Sequence, residues 1–232
     1  MVYWALVSIG VIGMPAITAY GLYRWSRGFG IGFAVLWGGW IVASAILADH
    51  DVFRQSATTA QPWIGVAAGG ALLVGLLAGT RVNAPLPALV WPHVLRVVGA
   101  VFLLAMATGK LPAVFALPAG LGDVAVGISA PFIARRLARG DRTGAVWFNA
   151  LGLLDLVVAV SLGFLAGLGP ARVLDVSPST ADVAVLPLVL IPVAAVPLAM
   201  ALHIRTLVRL RRAPATGLAQ GLTGRRESTP VP

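Results

Sequence analysis

Residues 117–160 read LPAGLGDVAVGISAPFIARRLARGDRTGAVWFNALGLLDLVVAV: an apolar run, a short loop with four arginines, and a second apolar run. A helix needs ~20 largely apolar residues to cross a hydrocarbon core of ~30 Å. Both runs are near that length, and the arginines between them cannot continue through lipid at low cost. The stretch therefore predicts two antiparallel helices in a bilayer.

The same pattern extends outward from it. Of 232 residues, 59% are apolar and 11% are charged, with a mean hydropathy of +0.92. Soluble domains carry about 25% charged residues, so this composition excludes one. It also excludes a disordered chain and, with no cysteine, a disulfide scaffold or a thiolate metal site. Seven runs can be read, at 2–23, 29–48, 63–79, 89–108, 117–134, 144–167 and 182–204, the third being the shortest. The expected fold class is all-α, a polytopic membrane protein of seven transmembrane helices over 1–212 with a disordered tail at 213–232.

Positive charge sets the expected orientation. With the C-terminus in the cytoplasm, thirteen of the seventeen basic residues fall on the inside. Arg54, Lys110 and Arg172 fall outside, and Arg96 lies within a span. An odd number of spans keeps every basic cluster on one side, so the N-terminus is expected outside. The net charge of +9 is then orientation charge, and no nucleic-acid partner is expected. The first run has no basic residue before it and reads as a retained helix. Ser179 and Asp182 read as a capping box before the last span, and Asp141 as the N-cap of the sixth. Tryptophans near span ends suggest interfacial belts. Gly65–Gly69, Gly75–Gly79 and Gly163–Gly167 suggest close helix packing.

Asp123, Asp155 and Arg96 lie inside spans, where an ionised side chain costs on the order of 2.5–3.5 kcal/mol. Counting from the turn near residue 139 places Asp123 level with about residue 156, beside Asp155, to within one helical turn of ~5 Å. Counting from the turn near 113 places Arg96 with Asn149 in a second layer ~10 Å nearer the cytoplasm, together with His93 and His203. Two carboxylates so close do not both ionise comfortably, so at least one is expected to be neutral unless a cation joins them. Pro192 and Pro197 cannot donate, which frees the carbonyls of Leu188 and Val193 in the last span and kinks it near the aspartates.

The wording of 117–137 and 147–163, together with Leu186-Pro-Leu-Val-Leu-Ile-Pro192, resembles a group of uncharacterised bacterial multi-pass membrane proteins over roughly residues 90–212. That resemblance implies a bacterial plasma (inner) membrane location and carries no activity.

The residues favour transport or an ion- or proton-coupled function, with Asp123 and Asp155 as coupling carboxylates, Arg96 and Asn149 as counter-charge and relay, and the carbonyl of Val193 beside them. A non-catalytic assembly subunit is the alternative, its buried charges serving specificity. His93 and His203 are weak candidates for axial haem ligands. His50 is expected on the opposite side from them, which disfavours a three-histidine zinc enzyme. No resident metal or cofactor is expected; the expected partners are the lipid bilayer and a small ion or proton, and a homo-oligomer is compatible with the sequence. The only lysine, Lys110, lies at the end of a span, which disfavours retinal chemistry.

Overall fold

The computed structural model describes residues 1–56, 63–80, 83–169 and 171–212. The expected tail at 213–232 lies outside the described residues, as do Arg81, Arg225 and Arg226. All the regular structure described is helical: α1 (Val2–Trp25), α2 (Arg27–Asp49), α3 (Trp63–Thr80), α4 (Leu86–Val90), α5 (Ala100–Ala107), α6 (Ala113–Ala138), α7 (Ala145–Leu165) and α8 (Val196–Arg212). A 3-10 segment, Trp91–Gly99, joins α4 to α5, and a π-helical turn, Ile191–Ala195, leads into α8. Six helical spans are long and apolar enough to cross a membrane, and α3 falls just short of that length. Their outward faces carry large exposed apolar side chains, such as Ile12, Val35, Phe132 and Leu154.

The fourth span organises the bundle. A 3-10 helix has three residues per turn, so side chains three apart lie on one line. Val90, His93, Arg96 and Gly99 form such a line, and all four are buried. Nine residues is long for this geometry. Pro92, which has no N–H to give, stands near its start. The segment packs against α6 on one side and α1 on the other, while α8 packs on α3, α7 and α4.

The last span differs from expectation. Residues 182–190 are not regular helix: a 3-10 turn at Thr180–Ala184 is followed by irregular backbone, and the span proper is Ile191–Arg212. Pro187 and Pro192 interrupt the donor ladder, so a regular helix cannot form there. The segment is nonetheless buried through Leu188, Val189 and Leu190. Short-range bonds such as Val189 N–H to Val185 O (3.0 Å) and Ile191 N–H to Leu188 O (3.0 Å) satisfy its backbone. The carbonyl of Leu188, expected to be free, is therefore occupied.

Two capping expectations also change. Asp141 does not cap α7, whose N-cap is Gly144 at φ 78°. Asp141 instead accepts from the Thr143 N–H at 2.8 Å and pairs with Arg136 at 3.0 Å. The hydrogen bonds from Thr143, then the nearby Arg136, hold its carboxyl below the usual range. Ser179 does accept a first-turn N–H, from Ala181 at 3.3 Å, but opens only a short 3-10 turn.

The glycines that allow close approach are mostly not those of the expected pairs. Gly75 does pack closely, since a Cβ added there would lie 3.2 Å from the Ala201 side chain, but one at Gly69 would meet nothing within 4 Å. Backbones approach most tightly at Gly30, against Tyr23 of α1, and at Gly127, where an added Cβ would lie 2.5 Å from the backbone nitrogen of Val97. Gly127→Ala should therefore push α6 off the 3-10 segment and cost about 1–3 kcal/mol. Gly39→Ala, facing open space, should be neutral. Thermal unfolding of the two variants in detergent checks the contrast.

Candidate functional site

Arg96 lies at the middle of the bundle, its side chain 4% exposed. Its Nε donates to Asp123 Oδ1 of α6 at 2.6 Å, and its Nη2 donates to Asp155 Oδ2 of α7. Its Nη1 faces the carbonyl of Gly152 and the Nε2 of His203 on α8, each at 3.2 Å. One guanidinium thus joins four groups on three helices. Its planar fork can do this; a lysine ammonium could not reproduce the geometry.

The direction of the bonds follows from Arg96. A guanidinium only donates, so His203 Nε2 accepts. Its Nδ1 then carries the proton and donates to Asn149 Oδ1 at 2.9 Å, which makes the ring neutral. Asn149 Nδ2 in turn donates to Ala145 O at 2.7 Å, at the start of α7. A continuous line of hydrogen bonds therefore runs from the two carboxylates to the arginine-rich end of the bundle. His93 lies flat against His203, with ring centroids 3.8 Å apart, and edge-on to Phe148. Two rings stacked face to face cannot flank a haem iron, and both nitrogens of His203 are already engaged.

The two layers expected from residue counting are one network. The backbone of Arg96 sits beside Gly127, within about a turn of its expected level. Counting levels α-carbons, however, and the long arginine side chain reaches from that level to the aspartates. Arg96 is also the cation that lets two carboxylates share a site: counted as ionised, the three groups sum to one negative charge.

Val193 is fully buried, and its carbonyl accepts the indole N–H of Trp40 at 2.8 Å. The acceptor freed by Pro197 is thus bonded from α2. Pro192 and Pro197 instead line a cavity of about 350 Å³ with Asp123 and Asp155. Phe102, Phe115 and Ile191 form apolar wall there, and Gln55 and Thr180 add polar groups. A smaller void of about 50 Å³ touches Arg96 and Asp123 from the α1 side.

Sequence reasoning missed the glycines that make room for the charges. A Cβ at Gly99 would strike the Asp123 carboxylate, and one at Gly122 would strike Asp155 Oδ1. At Gly152 it would lie 2.5 Å from the His203 ring. A signal was present for one of them: Gly152-Leu-Leu-Asp155 places a glycine three residues before the aspartate on the same helix face, whereas Gly99 and Gly122 stand at no such spacing from the carboxylates they admit. Trp40 left no comparable signal. Among the described residues, no group of three or more histidines, aspartates or glutamates is arranged to hold a metal.

Removing Arg96 would leave two carboxylates facing each other without a counter-charge. Arg96→Leu should cost about 3–5 kcal/mol. Arg96→Lys should recover only part of that, because one ammonium cannot bridge both. Thermal unfolding in detergent of the two variants measures the order.

No curated protein and no solved structure matches the chain. A family described as a domain of unknown function (DUF8737) matches residues 52–211, which hold α3 to α8 and every member of the Arg96 network. The chain belongs to that family, the domain of unknown function DUF8737.

Proposed function

We propose that the chain transports protons across a bacterial plasma membrane, with Asp123 and Asp155 as the carboxylates that carry them. The observation that carries the reading is one guanidinium shared by two aspartates beside a cavity. The residual single negative charge matches one proton or one monovalent cation. A divalent metal would have to compete with Arg96 for the same carboxylates. The π-helical turn beside the cavity is a form of backbone frequent at functional sites. Arg96, His203 and Asn149 provide a hydrogen-bonded route toward the basic end.

The accompanying topology is seven crossings, α3 included, with the N-terminus outside and the C-terminus in the cytoplasm. It rests on the side preference of the arginines. Because the chain has no cysteine, single cysteines can report it directly. In intact cells, a membrane-impermeant maleimide should label Lys110→Cys and spare Arg139→Cys; the reverse pattern would invert the topology.

A second reading is a structural clamp, favoured by the number of helices that Arg96 ties together. Proton flux separates the two. In liposomes holding the purified chain and a pH dye, an imposed pH gradient should collapse, and Asp155→Asn should slow the collapse at least about tenfold while the protein stays folded. Unchanged flux in that variant overturns the transport reading. Loss of folding or assembly in both Asp123→Asn and Asp155→Asn, with no flux in the parent chain, favours the clamp.

A further inference from the structure

A larger gap among the described residues lies apart from the carboxylates, at the basic end, between α2, α3 and α8. It measures about 710 Å³. Leu22, Phe33, Trp37, Leu198 and Leu202 make its walls apolar. It opens sideways, because Phe29, Leu36 and Val74 on its border are 42%, 51% and 43% exposed. The opening exists because α3 rests on α8 and on the π-helical turn, and α2 packs chiefly on α1. Dispersion and close packing hold membrane helices together, so a gap this size between helices is a place for something else to pack.

One end of the gap has the opposite character. Arg205 and Arg212, two helical turns apart on α8, line it together with Ser26 and Gly28 at the start of α2. Ser26 is the N-cap of that 23-residue helix, and its hydroxyl makes no capping hydrogen bond. A helix start presents unpaired N–H groups and the positive end of the helix dipole. The crevice is therefore an apolar length closed by positive charge. That is the complement of an acyl chain beneath an anionic headgroup, and basic pockets between membrane helices take such headgroups.

We propose that this crevice binds one molecule of an anionic phospholipid, with its phosphate at Arg205, Arg212 and the start of α2 and an acyl chain along Trp37 and Leu202. A zwitterionic headgroup would bring its own cation to the two arginines, so the site selects net negative charge. The site needs only the membrane setting and does not depend on proton coupling.

The full-length chain, purified in detergent, provides the test. Retained lipid is counted by native mass spectrometry, and the thermal midpoint is followed with added dioleoyl-phosphatidylglycerol or dioleoyl-phosphatidylcholine. The glycerol lipid should be retained at one per chain and bind at least about fivefold more tightly, the scale expected of a single arginine at a lipid headgroup. Arg205→Gln with Arg212→Gln should abolish the preference. A side chain at Gly32 would enter open space in the crevice, so Gly32→Phe should expel the lipid with both arginines intact. Equal binding of the two lipids overturns the proposal, as does a preference that survives the double variant. Two further results overturn it: glycerol 3-phosphate alone giving the full midpoint shift, or a dimer that Gly32→Phe dissolves, which would make the occupant a second copy of the chain.

Discussion

A guanidinium held between two carboxylates, inside a bundle whose outer faces are hydrocarbon-like, is the constraint around which the rest is arranged. Removed from water, each charge alone is costly, and the three become tolerable only together. To bring them together, the fourth span must present Arg96 to α6, α7 and α8 at once. The 3-10 line of Val90, His93, Arg96 and Gly99 does this, because three residues per turn keep that face on one side throughout. The glycines follow from the same need. Gly99 and Gly122 leave space for carboxylate oxygens, and Gly152 lets the His203 ring approach α7.

The proline-rich segment shows the same logic applied to the backbone. Pro187 and Pro192 prevent a regular α-helix over 186–195, yet most of the segment is buried where no bulk water can bond it. Turn-type bonds satisfy part of it, and the Trp40 indole reaches the Val193 carbonyl from α2. The irregular stretch places Ile191 and Pro192 on the cavity that Asp123 and Asp155 also face, so loosened backbone and buried charge border one space. The crevice at the other end of α3 has a related origin: a helix packed on one flank only leaves room on the other.

Much of the site was legible from counting. Antiparallel helices joined by a short turn are rulers of equal pitch, so Asp123 and Asp155 could be matched across the turn near residue 139. The method lost Arg96 because it measures α-carbons, and a guanidinium acts far from its own. It lost Val193 for another reason. Proline predicts a freed carbonyl, but which donor arrives depends on how α2 packs, and nothing local to residue 193 records that. Of the glycine cradles, Gly152 lay between these cases, three residues before Asp155 on one helix face; Gly99 and Gly122 admit carboxylates of other helices and leave no local pattern.

The amino-acid sequence alone determined the all-α class and the approximate position of the helices apolar enough to cross a membrane. These depend on sums over consecutive residues, which can be read without knowing what packs against what. The tertiary structure decided the 3-10 and π-helical departures, the start of the last span, the sharing of Arg96 and the pairing of Trp40 with Val193. Those outcomes depend on side-chain reach and on which faces touch, which are set by the packing of segments far apart in the chain.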